Sequence, residues 1–88
     1  MKLIGIGFGN MVNAQRIIAV VSPESNPVKR LIQTGKESGM LIDATQGRKT
    51  KSVIMMDSDH VVLSYLTPEV LCEKIAQDDS NGETYAKG

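Results

Sequence analysis

The sequence predicts a small α+β domain in which a sheet is covered by two helices. Short β-branched and apolar runs recur along the 88 residues, and two segments with helical spacing interrupt them. Each of these segments starts with polar residues and a proline, a combination typical of a helix N-terminus. The predicted element order is ββαβββα.

The first two predicted strands differ in character. Lys2 to Phe8 alternates weakly and contains Gly5 and Gly7, so we expect a glycine-rich strand or bulge packed closely against a neighbour. The same glycines do not make a dinucleotide fingerprint, because Asn10 stands where the third glycine is needed. Arg16 to Val21 is a β-branched run suited to a buried strand.

A first helix is predicted from about Pro27 to Ser38. Ser25 or Asn26 is the expected N-cap, and Gly39 is suited to the left-handed position after the helix. Apolar or small residues recur at i, i+3, i+4 and i+7 and mark the inner face. These residues are Val28, Leu31, Ile32 and Gly35.

Three strands and a second helix are predicted in the remainder of the domain. The expected strands are Met40 to Ala44, Ser52 to Met56 and His60 to Leu66. The turn Asp57 to Asp59 joins the last two, and Thr67 with Pro68 begins a helix that ends near Ile75. The domain therefore covers residues 1–77, and the polar residues 78–88 are predicted to be a disordered acidic tail.

The basic segment, Gly47 to Lys51, holds three cations in five positions: Arg48, Lys49 and Lys51. It lies where the chain is expected to reverse between two strands, so its charges would be held out in solvent for a polyanion. A solvated loop without any partner is the plainer alternative.

The charges are divided unevenly between the two halves of a neutral chain. Residues 1–51 carry eight cations and three anions, a net charge of +5, whereas residues 52–88 carry a net charge of −5. This asymmetry indicates a basic face for nucleic acid or another acidic ligand. Head-to-tail pairing of subunits through the opposite charges is a second possibility.

Composition and spacing exclude several other classes. The chain has one cysteine and one histidine, so it has no internal disulfide and no multi-ligand metal cluster. His60 and Cys72 are a weak pair for nucleophilic catalysis, and we expect no enzyme and no cofactor. No apolar run approaches the roughly 20 residues that span a bilayer, and the N-terminus does not resemble a signal peptide, which predicts a cytoplasmic protein without a membrane partner.

Six stretches of the chain together form a recognisable pattern. They are Ile6 to Val12, Arg16 to Ser25, Pro27 to Arg30, Leu41 to Thr45, Gly47 to Thr50 and Asp57 to Ser64. They closely resemble the RemA family of small bacterial DNA-binding regulators of extracellular-matrix and biofilm genes. The resemblance runs from about residue 2 to residue 75 without a gap.

The resemblance implies a ring-shaped homo-oligomer of LytTR-like protomers that binds double-stranded DNA through arginines. Carried over residue by residue, the DNA-contacting positions of the family fall on Arg16, Arg48 and Lys49. This chain departs from the family pattern, because Lys49 and Lys51 stand where arginine is usual. Lysine keeps the charge but loses the planar fork that makes bidentate contacts.

Two further hypotheses come from other classes. A ring-forming structural or scaffold protein would use the basic face for protein contacts. A small-molecule sensor would need a pocket, for example at the glycine-rich first strand, although we expect no small-molecule ligand. Stacking on single-stranded nucleic acid is a poor alternative, because only three residues are aromatic: Phe8, Tyr65 and Tyr85.

Overall fold

Six strands and two helices form three layers in the computed structural model, which describes residues 1–77. The predicted α+β class is confirmed. The predicted acidic tail, residues 78–88, lies outside the described residues. In chain order the elements are β1 (Leu3–Gly7), β2 (Asn10–Asn13), β3 (Ile17–Val21), α1 (Asn26–Ser38), β4 (Leu41–Asp43), β5 (Ser52–Met56), β6 (Val61–Ser64) and α2 (Pro68–Ala76).

The central layer is a four-stranded sheet with the order β3-β5-β6-β4. Strand β5 is antiparallel to both of its neighbours, and β4 is parallel to β6. The antiparallel hairpin β1–β2 forms a separate two-stranded sheet. Strands β3 and β4 are therefore the two edges of the main sheet in the described part of the chain.

Both faces of the sheet are covered because neighbouring residues of β5 and β6 point to opposite sides. On one face Ile54 and Val62 pack with Ile4 and Ile6 of the hairpin and with Leu71 of α2. On the other face a second cluster packs against α1. Its members are Val53, Val61 and Leu63, with Val28, Leu31 and Ile32 from the helix.

The two helices begin where the sequence predicts. Ser25 and Thr67 are the N-caps, and their hydroxyl oxygens accept the backbone N–H groups of Val28 and Val70 at 3.3 Å. Gly39 ends α1 in the left-handed region with φ 77°. The inner face of α1 is also confirmed, since Gly35 is buried against Val61.

The observed element order has one strand more than predicted. Asn10–Asn13 folds back on β1 as β2, so the order is βββαβββα. The turn between them uses three consecutive positive φ angles, at Gly7, Phe8 and Gly9. The two glycines are typical of a tight turn, but Asn10 to Asn13 is too short and too polar for its sequence to predict a strand. Arg16 also ends a short 3₁₀ helix, Ala14–Arg16, and does not begin β3.

The basic segment does not close a hairpin between paired strands, which corrects the prediction from the sequence. Strands β4 and β5 lie on opposite sides of β6 and share no hydrogen bonds. Parallel pairing of β4 with β6 puts their C-terminal ends together, and β5 begins at that same end. The connection from β4 to β5 therefore crosses the C-terminal end of β6.

Gly7 is required at its position for two reasons. Its φ of 114° is a conformation that L side chains rarely adopt, and a Cβ there would overlap the Tyr65 ring. The pairing of β1 with β2 also shifts register between Gly5 and Gly7, as in a bulge. The expectation of a glycine-rich strand packed against a neighbour is thereby confirmed.

We predict that Gly7→Ala lowers the free energy of unfolding by at least about 2 kcal/mol, because backbone strain and the overlap with Tyr65 act together. Gly9→Ala is the matched control: its φ is 79°, but nothing lies within 4 Å of its added Cβ, so it should cost only about 1 kcal/mol. Urea unfolding at fixed protein concentration measures both values. Equal losses would show that the Tyr65 contact is unimportant.

Candidate nucleic-acid interface

The basic segment belongs to a longer connection, Ala44 to Lys51, here called the bridge, which is anchored to β6 at both of its ends. The N–H of Ala44 donates to the Leu63 carbonyl at 3.0 Å, and the N–H of Lys51 donates to the Ser64 carbonyl at 2.9 Å. Both acceptors belong to a fully buried strand. The three cations are therefore carried on a short bridge with fixed ends.

Asp43 and Thr45 fix the start of the bridge. The Asp43 carboxylate accepts the Thr45 hydroxyl at 2.6 Å and the Thr45 backbone N–H at 2.9 Å. These two hydrogen bonds, the hydroxyl first, hold the pKa of Asp43 below its usual value against a smaller opposing effect of burial. Thr45 itself is only 2% exposed. The local conformation is thus set before the first cation.

A tight turn precedes Arg48 and fixes its backbone. The Arg48 N–H donates to the Thr45 carbonyl at 2.9 Å, and the two residues between them, Gln46 and Gly47, have φ angles of 53° and 80°. Two consecutive positive φ angles are typical of a type I′ turn. Arg48, Lys49 and Lys51 are all exposed, and within residues 1–77 none of them forms an ion pair.

The tip of the β1–β2 hairpin lies beside this bridge. The Arg48 guanidinium carbon is 5.7 Å from the centroid of the Phe8 ring, and the Phe8 and Tyr65 rings are 4.8 Å apart. Tyr65 directly follows the last residue of β6, over which the bridge passes. Two aromatic rings and three cations therefore share one end of the molecule.

Arg16 lies at the other end of the sheet. Its Nη1 is 3.2 Å from the Asp57 carboxylate, and its carbonyl accepts the Asp57 N–H at 2.9 Å. Asp57 follows β5, whereas Lys51 precedes that strand, so about 20 Å of extended chain separates the two ends. The structure brings Arg48, Lys49 and Lys51 together in one protomer but does not bring Arg16 to them.

The structure also shows where the other candidate residues lie: Asp57 to Asp59, His60 and Cys72. Asp57 to Asp59 forms the predicted turn of an antiparallel hairpin, with Asp59 at φ 69°. The His60 ring nitrogen Nδ1 is 2.7 Å from the Ser58 hydroxyl, within hydrogen-bonding distance. Cys72 is exposed on α2. Residues 1–77 contain no cluster of three or more groups suited to hold a metal ion.

Comparison with known proteins identifies the family. A family model described as Extracellular matrix regulatory protein A-like, or RemA-like, matches residues 3–75. The chain belongs to the RemA-like family. The matched region of this RemA-like chain begins with β1, contains Arg16 and the whole basic segment, and ends within α2.

Similar RemA-like relatives occur in several bacteria and are named as regulatory proteins. One from Alkaliphilus metalliredigens is 56% identical over 86 residues, which cover 98% of this chain and 92% of the relative. One from Geobacillus kaustophilus is 55% identical and covers 94% and 95%, respectively. One from Halothermothrix orenii is 57% identical and covers 92% and 96%. These names support a regulatory rather than a catalytic role for the RemA-like chain.

The candidate site contains residues that sequence patterns did not single out. Asp43 and Thr45 shape the bridge, Asp57 pairs with Arg16, and Phe8 and Tyr65 stack beside Arg48. Of these contacts, only the hydrogen bonding of Asp43 with Thr45 could be predicted from the sequence, since aspartate before a turn commonly accepts the backbone N–H two residues later.

The helices among residues 1–77 are too short or too polar to cross a membrane.

We predict that Thr45→Val raises the pKa of Asp43 toward its ordinary value of 3.8, because the largest cause of the lowering is removed. In the parent, the folded pKa lies below the unfolded one. Asp43 therefore stabilises the fold above the unfolded pKa, and this contribution is lost as pH falls through the folded pKa. The variant should lose stability less steeply over that acid range. Carboxyl NMR titration measures the pKa directly.

Thr50→Val is the matched control for this experiment, because Thr50 lies on the same bridge and forms no hydrogen bond with Asp43. Its Asp43 should titrate as in the parent protein. An unchanged pKa of Asp43 in the Thr45→Val variant would show that the hydrogen bond from the Thr45 backbone N–H is sufficient to lower this pKa.

Proposed function

We propose that this RemA-like protein is a DNA-binding transcriptional regulator that binds duplex DNA multivalently as a ring-shaped homo-oligomer and controls extracellular-matrix and biofilm genes. The observation that carries the proposal is the bridge of three exposed cations fixed to β6, none paired with a carboxylate within residues 1–77. A backbone that is already fixed at both ends loses less conformational entropy when its cations meet phosphates.

The opposite placement of Arg16 supports an oligomeric site. About 20 Å of extended chain separates Arg16 from the basic segment in one protomer, so an oligomer that repeats both would offer DNA an Arg16 and a basic segment from neighbouring copies. The Arg16–Asp57 pair is no obstacle, since its side chains are 65% and 44% exposed. Exposed pairs contribute only about 0–1 kcal/mol.

The edges of the sheet support association between unlike surfaces. Edge strands β3 and β4 each expose an isoleucine, with Ile18 66% and Ile42 49% exposed. Ile18 also lines an apolar groove beside α1 with Leu31 and Met55. Contact of the β3 edge with the β4 edge of a neighbour is heterologous, and such contacts close into rings when the rotation permits.

A ring would convert a weak site into a strong one. One protomer offers few phosphate contacts, and each contact adds a counterion-release contribution that salt suppresses. Repetition of the site around a ring raises the effective concentration of DNA at the next site. DNA that follows the ring must bend, so its deformability would contribute to specificity.

We predict that the protein is larger than a monomer in solution and that Ile18→Glu or Ile42→Glu reduces it to monomers, because a carboxylate would be buried without a partner at the proposed edge contact. Multi-angle light scattering at micromolar concentration measures the mass. Met11→Glu, on the hairpin and similarly exposed, is the control and should leave the oligomer intact. A monomeric parent would exclude the ring.

We predict that Arg16→Ala and the double variant Arg48→Ala/Lys49→Ala each weaken duplex binding at least tenfold without changing the oligomer. The salt slope should fall by about 1 for each phosphate that is no longer neutralised. Lys49→Arg should raise affinity, because guanidinium binds phosphate in a bidentate manner. Fluorescence anisotropy on a long duplex at several salt concentrations measures both quantities.

The same experiment separates this proposal from the scaffold alternative. A scaffold that uses its basic face for protein contacts would show no salt-dependent duplex binding in the parent protein. A parent that binds DNA only as tightly as its alanine variants would show that the basic segment is only a solvated loop.

A further inference from the structure

Phe8 is an exposed aromatic residue next to the cations of the basic segment. It is 44% exposed and belongs to neither of the two core clusters. One neighbour is the Tyr65 ring, tilted by 38° at 4.8 Å, and the other is the Arg48 guanidinium at 5.7 Å. Two of the three aromatic residues of the chain thus meet at the surface that carries its densest positive charge.

The backbone of Phe8 adopts a conformation that is unfavourable for phenylalanine. Phe8 has a φ of 55°, between Gly7 at 114° and Gly9 at 79°. A bulky residue in the left-handed region is uncommon, since glycine or asparagine fits there without steric conflict. Local folding alone therefore does not account for an aromatic residue at the tip of this turn.

Packing does not account for it either. The close approach to Gly7 is made by the Tyr65 ring, against which Phe8 lies at 4.8 Å, and Phe8 belongs to neither core cluster. A ring needed for the core would be buried. Instead, the fold presents an exposed apolar ring with Arg48 beside it and with Lys49 and Lys51 on the same basic segment, and this combination is complementary to a groove of DNA lined by phosphates.

We propose that Phe8 contacts the bases of bound duplex DNA by inserting its ring partly between base pairs at a deformable step, while Arg48 beside it contacts the backbone. This inference rests on the proposed DNA binding and adds a base contact to it. Apolar wedges of this kind unstack a step and kink the duplex. Pyrimidine–purine steps unstack most readily, so Phe8 would give preference for DNA that contains them.

The salt dependence of binding distinguishes a base contact from a phosphate contact. Removal of an apolar side chain leaves the number of released counterions unchanged, so affinity falls while the salt slope stays constant. Removal of the Arg48 side chain lowers both. Phe8→Gly is the main variant, because glycine accepts the positive φ and leaves the turn unstrained. Phe8→Asn is the second variant, because asparagine also tolerates that region.

The test needs a control variant and a check that each variant keeps the fold and the oligomer of the parent. Met11→Ala is the matched control, because Met11 is an apolar residue of the same hairpin, 55% exposed, that lies in β2, pairs with Gly5 of β1 and is not part of the turn. Light scattering and thermal melting follow the oligomer and the fold in every variant. The probes are two long duplexes of equal length, one rich in TA and CA steps and one built from A-tracts.

We expect Phe8→Gly and Phe8→Asn to bind the TA- and CA-rich duplex about tenfold more weakly than the parent, with an unchanged salt slope. They should also lose the preference of the parent for this duplex over the A-tract duplex. Met11→Ala should retain both. A 2-aminopurine base at a TA step should brighten when the parent binds and remain dim with either variant.

Each other result overturns the inference. Unchanged affinity would show that the ring does not touch DNA. A salt slope reduced by about 1 would show that Phe8 only positions Arg48. Loss of the oligomer or of the fold in both variants would assign the ring to a structural contact. A parent that binds no duplex would remove the proposed function together with this inference, whereas a parent that binds as its variants do removes this inference alone.

Discussion

The hydrogen bonds of Ser64, at the end of the inner strand β6, hold together the end of the molecule that carries the basic segment. Its backbone carbonyl accepts the Lys51 N–H, and its hydroxyl donates to the Ile6 carbonyl at 2.8 Å while accepting the Leu66 N–H at 3.1 Å. Ser64 is fully buried. Water therefore cannot satisfy its polar groups if any of these hydrogen bonds is lost. The sheet, the β1–β2 hairpin and the basic segment are thereby joined at one residue.

This arrangement explains why cations and an aromatic ring meet at one place. The hairpin brings Phe8 to the C-terminal end of β6 because β1 is tied to that strand through Ile6. The basic segment crosses the same end because its flanking strands lie on either side of β6. The functional proposals therefore depend on sheet topology, not on sequence proximity, since Phe8 and Arg48 are 40 positions apart.

Local signals in the sequence predicted the helices and most strands. Ser25, Thr67 and Gly39 act through contacts within a few residues, so their roles were readable from spacing alone. The pairing of β4 with β6 was not readable, because Leu41 to Asp43 has no local preference for one neighbour over another. For the same reason, the composition of the basic segment was enough to identify its cations. The contacts of Phe8 and Tyr65 with Arg48, and the distance of Arg16 from the basic segment, could be seen only in the folded chain.

We propose that neighbouring copies together form the DNA site, with Arg16 from one and the basic segment from the next. Mixed oligomers, made by co-refolding the Arg16→Ala chain with the Arg48→Ala/Lys49→Ala chain, test whether the site is shared. Some interfaces then combine an intact Arg16 with an intact basic segment, so duplex binding should exceed that of either variant alone. Binding no stronger than that of the better single variant would contradict the shared site.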